Sequence, residues 1–267
     1  MATRDSSTDK ALRVVAPLLV GILVLTGWEV TVIELDIKSY ILPPPTEIGA
    51  TLINDWDLLL RGWLVTLSVT FIAFGIAVAL GALLALLFVQ SRWIEMSLYP
   101  YAIAMQVTPV VAIAPLIIIW VDSTLTALVI CAVIIAIFPI ISNTTLGLHS
   151  VNPNLLQLFR MHSASRLQIL TRLRIPSALP YFFGSLRISS GLALIGAVVA
   201  EFVAGTGGTK AGLAYTILNA GFTLKIPRMF AALILIAVTG IALFMLMLWF
   251  TRLALGNWHE SMIEHEE

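Results

Sequence analysis

Residues 149–180 read HSVNPNLLQLFRMHSASRLQILTRLRIPSALP, a polar interruption between two long apolar runs. Connections between neighbouring helices are ordinarily short, so a stretch of this length that itself reads as helical has work to do. Asn152 followed by Pro153 is a start signal: a capping side chain precedes a residue whose fixed φ suits the first helical position. Leu155, Leu156, Leu158, Phe159 and Met161 then give a short helix rich in apolar surface. A turn is expected at His162 and Ser163, with Ser163 capping a second helix that runs through Leu173 until Pro176 and Pro180 break it. Two short helices that project apolar residues between arginines form a knob suited to docking another protein.

Outward from this stretch, mostly apolar runs lie at about 14–33, 63–89, 97–120, 124–146, 181–203 and 229–252. Each is long enough to cross a bilayer, which takes roughly 20 residues. The 267 residues are 59% hydrophobic and 11% charged, with a mean hydropathy of +0.99; soluble domains carry about 25% charged residues. The expectation is an all-α, polytopic membrane protein of six spans. Lys and Arg are retained in the cytoplasm more than they are exported. Placing both termini in the cytoplasm leaves ten of the 15 basic residues inside and five outside. Residues 1–13 and 254–267 are then cytoplasmic tails around a membrane domain, 14–253, that carries the loop 150–180. The first run is read as a retained span, since no small-residue cleavage site follows it.

Other features refine the picture. The net charge is zero and the pI about 6.9, so no basic field exists to hold nucleic acid. Cys131 is the sole cysteine, which excludes an internal disulfide or a thiol metal cluster. Pro43–Pro45 force an extended backbone, Thr46 is placed to cap a helix, and Ile48, Leu52, Trp56 and Leu59 recur at helical spacing, as in an amphipathic helix on the outer surface. Pro109, Pro115 and Pro139 remove backbone donors inside spans, and Ala77, Gly81 and Ala85 form a small-residue face for close helix approach.

The loop resembles the cytoplasmic motif of binding-protein-dependent ABC importer permeases: Glu-Ala-Ala, three residues, Gly, nine residues, Ile-x-Leu-Pro. On this chain that spacing lands on Gln157-Leu158-Phe159, on Ser163 and on Leu173-Arg174-Ile175-Pro176, with the acid, alanines and glycine replaced. Serine at the glycine position implies strain there. YILPPPTEIGATL, QVTPVVAIAPLIIIW and AEFVAGTGGTKAGLAYTILNAG are similar to segments of the nitrate, taurine and sulfonate type branch. The resemblance implies a type I importer fold and a homodimer of permease subunits. It implies two ATPase subunits that bind ATP and Mg, and a periplasmic or lipid-anchored binding protein that delivers a small solute. It places residues 154–164 in a groove on the ATPase, so Leu155, Gln157, Leu158, Phe159, Arg160, His162, Ser163, Ala164 and Arg166 are the candidate coupling residues.

Glu201 is the main acid within a span, near the outer end of the fifth, where an unpaired charge is costly. It serves either as a structural pairing group or as part of the route. Gln106, Thr108, Ser189 and Ser190 supply hydrogen-bonding groups to a pathway or to neighbouring helices; Asn143, Thr144 and Thr145 read as helix-end groups. The glycine-rich Gly205–Lys210 fails as a phosphate loop, because Thr209 precedes the lysine and Ala211 follows it. ATP chemistry therefore belongs to a separate subunit, and no cofactor is expected in this chain. The histidines are His149, His162, His259 and His265; His259-Glu260 opens like a zinc-protease motif, but Ile263 stands in place of the second ligand. A secondary, ion-driven transporter is the alternative, although that class usually shows an internal repeat and has no need of the knob.

Overall fold

The computed structural model describes residues 7–205 and 211–256. Every regular element among them is helical: α1 Ser7–Glu34, α2 Pro45–Asn54, α3 Trp56–Gln90, α4 Arg92–Val107, α5 Val110–Trp120, α6 Thr124–His149, α7 Pro153–Met161, α8 Arg166–Ile169, a π-helical turn Leu170–Arg174, α9 Ile175–Ala204, α10 Leu213–Phe222 and α11 Ile226–Leu255. Among the described residues five helices are long and apolar enough to cross a membrane, counting Arg166–Ala204 as one, and the bent pair α4–α5 supplies a sixth. Five of the six apolar runs are thus single candidate spans, and the third is a bent pair that makes six when it is counted as one span.

The chain forms two compact units, one of residues 1–60 and 216–234, the other of 61–215 and 235–267. In the larger unit α3 and α6 run parallel. Val69 and Ala73 pack with Leu128 and Ala132, Ala77 packs with Ile137 and Ile140, and Ala85 packs with Leu148. α9 runs antiparallel to α6, and small side chains let the two backbones close. A Cβ on Gly196 would stand 2.7 Å from Cα of Ala132, and one on Gly147 2.9 Å from Cα of Ala178. In lipid, where apolar side chains gain nothing from leaving water, such close packing is what holds helices together. Gly81 plays the same part against Ile140, and Ala77 and Ala85 are fully buried, as the small-residue face predicts. α11 joins through Trp63, whose Nε1–H donates to Thr239 Oγ1 at 2.7 Å.

In the smaller unit a carboxylate from α1 caps α2. Thr46 N–H donates to Glu29 Oε2 at 3.1 Å and its hydroxyl to Oε1 at 2.6 Å. Thr46 is therefore not itself the cap; Pro44 holds that position without a side-chain bond, and the distant Glu29 supplies the anion. Arg228 and Asp55 form a half-buried ion pair at 2.6 Å.

The outer amphipathic helix ends at Asn54, so Trp56 and Leu59 belong to α3. The third run is not one helix. Thr108 is extended (φ −69°, ψ 123°) ahead of Pro109, and α4 and α5 meet at 100°, because the ring of a proline excludes the α region from the residue before it. Pro115 and Pro139 stay inside helices. Nor do Pro176 and Pro180 break the chain, since the π turn precedes Pro176 and α9 runs through Pro180. A helix already occupies Ser7–Lys10 in the expected tail. Thr206–Lys210, His259, His265 and the tail beyond Gly256 lie outside the described residues.

Candidate coupling and pathway sites

The knob is built by local rules. Asn152 Oδ1 accepts from Asn154 N–H at 2.9 Å and opens α7, with Pro153 at its first turn. At the other end Ser163 sits in the left-handed region at φ +53°. Ser163 N–H donates to Arg160 O and Ala164 N–H to Phe159 O, both at 3.0 Å, which is the Schellman closure that ordinarily uses glycine. The serine that stands where the resembling motif has glycine is thus in the conformation that demanded one. The next cap is Ser165, not Ser163. Ser165 Oγ accepts from Gln168 N–H at 3.2 Å, and Gln168 Oε1 accepts from Ser165 N–H at 2.7 Å, a reciprocal box whose Ser-x-x-Gln signature is legible in the sequence.

Ser163→Gly removes the left-handed penalty, about 1 kcal/mol, and is expected to slow limited proteolysis between α7 and α8 about fivefold. Ser163→Val accelerates it. Equal rates in all three chains would show the turn to be unstrained.

α7 and α8 display Leu155 (46% exposed), Leu158 (47%), Met161 (81%) and Leu167 (67%). Phe159 is only partly exposed and lines a cleft with Leu158, His162, Ala164 and Gln168, so it holds the two short helices together rather than standing out. Gln157, Arg160, His162, Ser163 and Arg166 are exposed, and Ala164 is half-buried. His162 Nδ1 lies 3.0 Å from Leu158 O.

Glu201 is 3% exposed. Its Oε2 accepts from Thr66 Oγ1 and from Ala214 N–H, each at 3.1 Å, while Leu213 N–H donates to Thr66 Oγ1 at 2.9 Å. A carboxylate at the end of α9 therefore caps the N-terminus of α10 and ties both to α3. Gly212 lies against the carboxyl group so closely that a Cβ there would overlap it. Among the described residues no cation pairs with Glu201; the first-turn N–H and the helix dipole take that part. α10, Thr66 and Gly212 were absent from the sequence reading, because their partner is ten or more residues away.

The other pathway candidates are not brought together. Gln106 is exposed near the end of α4, and Thr108 at the bend donates to Ala104 O at 2.7 Å. Ser189 and Ser190 are buried in α9; Ser190 Oγ donates to Arg187 O at 3.0 Å. Among the described residues no hydrogen bond links any two of these five. Thr144 and Thr145 are buried, not solvated helix-end groups, and Asn143 Nδ2 donates to Pro139 O at 3.0 Å. Arg187 lies well inside α9 with its guanidinium carbon 5.7 Å from the Phe244 ring centre.

Five or six apolar spans and a capped helical knob between two of them define a multi-pass inner-membrane permease. The profile described as "Binding-protein-dependent transport system inner membrane component" matches residues 77–254, and the chain belongs to that family, the membrane subunits of ABC importers for small solutes. The riboflavin transport system permease protein RibX of Chloroflexus aurantiacus is 35% identical over 244 residues, 90% of this chain and 88% of the relative. The formylaminopyrimidine transport permease protein ThiX of Halalkalibacterium halodurans is 31% identical over 233 residues, 87% and 91% respectively. The solved structure of an amino acid ABC transporter with histidines superposes with a TM-score of 0.64 at 21% identity, covering 76% of this chain and 97% of that one, a likeness of fold.

Proposed function

We propose that two copies of this chain form the route for a small solute delivered by a periplasmic or lipid-anchored binding protein, and that α7 and α8 dock on two ATP-hydrolysing subunits, which bind the ATP and Mg. The observation that carries this reading is the continuous helical run Arg166–Ala204, α8 joined to α9 through the π turn, 39 residues from the knob through the span. At 1.5 Å per residue it is about 58 Å long, nearly twice the hydrocarbon thickness of a bilayer. Part of it therefore stands outside the membrane as a stiff lever. A push on the Schellman-closed, box-capped knob reaches the pathway instead of being absorbed by a loop. The arginines favour the cytoplasm for this end. Glu201 acts on this reading as a brace for α10, and the names of the relatives bound the cargo to a heterocyclic vitamin or its precursor, an organic sulfonate or a small anion such as nitrate.

The test is reconstitution. The chain with its ATPase partner is expected to import solute in proteoliposomes lacking any ion gradient, with hydrolysis raised by the loaded binding protein. Import by the purified chain alone, driven by an ion gradient, would replace this reading with a secondary transporter. Sidedness is read with Met161→Cys, since Cys131 is buried. Impermeant maleimide is expected to label it in inverted vesicles and not in intact cells.

A further inference from the structure

Arg160, Arg166, Arg172 and Arg174 follow one another through the knob, and no Asp or Glu occurs between Asp122 and Glu201. Three of the four, Arg160, Arg166 and Arg174, line a single cleft of about 340 Å³ beside Val89, Leu156 and Ile169. Among the described residues the Lys and Arg ion pairs are Lys38–Asp36 and Arg228–Asp55, and Glu95 stands 3.8 Å from His149, so no carboxylate answers any of these guanidiniums. Arg174 gives one N–H to Val89 O at 3.3 Å, a cation placed on the last carbonyls of α3. The remaining donors of that fork, and all those of Arg160 and Arg166, have no protein acceptor among the described residues. Three like charges around so small a volume repel one another, and an anion inside it removes the repulsion.

The location says which anion. The apolar run of α3 ends at Val89 and is followed by Gln90, Ser91 and Arg92, so the cleft opens where the lipid-compatible surface gives way to polar residues, and its apolar members stand next to the charged ones. A free ion would have use only for the guanidiniums; an anionic phospholipid uses both surfaces. We propose that this cleft holds the phosphodiester of an anionic phospholipid, with Val89, Leu156 and Ile169 against the glycerol and first acyl carbons. The headgroup then joins the end of α3 to α7 and to the root of the lever, so lipid charge regulates how firmly the knob is seated. The regulatory part rests on the docking reading above; the binding site itself does not.

The experiment uses the purified full-length chain in phosphatidylcholine nanodiscs, titrated with labelled phosphatidylglycerol. Saturable binding is expected, weakened about fivefold per arginine and roughly a hundredfold in R160Q/R166Q/R174Q. The triple lysine variant at the same positions keeps most of the affinity, which separates lost charge from lost fold. R172Q removes equal charge outside the cleft and leaves binding unchanged. Equal weakening by R172Q would reduce the site to diffuse attraction and overturn the proposal. Displacement of the lipid by equimolar inorganic phosphate would make it a free-phosphate site, and release of the lipid on adding the ATPase partner would assign the arginines to that interface. Because nanodiscs expose both faces, the measurement is blind to sidedness. A knob labelled from outside the cell would sink the docking reading while leaving this binding intact.

Discussion

Glu201→Ala lowers the stability of the purified chain by about 2–3 kcal/mol in denaturant titrations. Two effects compete. Removing a buried carboxylate relieves a desolvation cost, and Oε1, without a hydrogen-bond partner among the described residues, shows that the cost is only partly offset. Against this, Ala214 N–H loses its acceptor in a dry site, at about 1–3 kcal/mol, and the Thr66 hydroxyl falls back on Gly62 O at 3.2 Å. The second effect wins because the orphaned N–H comes together with loss of the bond that ties α9 to α3. Glu201→Gln keeps one acceptor oxygen and is expected to cost about half as much. Gly212→Ala should match the loss in Glu201→Ala, since its Cβ evicts the carboxylate from the same cap. The double variant should cost clearly less than the two single losses added, because neither change can break the cap twice. Full additivity, or altered transport with unchanged unfolding, would instead make Glu201 a gate residue.

Leu158→Glu combined with Met161→Glu abolishes ATP-driven transport and weakens capture of the ATPase partner about a hundredfold, the scale for losing two apolar anchors at a protein interface. Met161 is 81% exposed and Leu158 half-exposed at the rim of the cleft, so membrane insertion is expected to match the wild-type chain, and protease resistance like that of the wild-type chain shows that the knob stays closed. Phe159→Glu gives the same loss of transport by another route. Its half-buried ring lines the cleft that His162 and Gln168 also line, so the charge opens the knob and the segment becomes sensitive to protease. Transport at wild-type rate in the first variant would remove the docking role of α7. Protease resistance in the second would show that Phe159 is not what binds α7 to α8.

The spans were legible because twenty apolar residues have few other fates, and α7 because Asn152-Pro153 announces it in two letters. The left-handed turn was legible at Ser163 only through the glycine it replaces; the cap assignment slipped by two residues, although Ser165 and Gln168 carry their own signature. The bend at Thr108 is favoured by Pro109 but not dictated by it. Pro139 carries the same covalent restriction and bends nothing so sharply. The π turn Leu170–Arg174 has no composition of its own, being one residue too many in an otherwise ordinary helix. It carries the helix past Pro176, which on sequence grounds reads as a stop. The caps on α2 and α10 could not be read, since Glu29 and Glu201 act across 17 and 13 residues, and nothing near Thr46 or Ala214 names a distant carboxylate.

The run without acids between Asp122 and Glu201 also bears on how the chain is made. Carrying a positive charge out against an inside-negative potential costs about 2.3 kcal/mol per 100 mV. Arg160, Arg166, Arg172 and Arg174 would each incur it, with no carboxylate to share the passage. The same residues that set the surface of the finished knob are therefore expected to act during biosynthesis as a latch, biasing which way the spans around them face before any helix has packed.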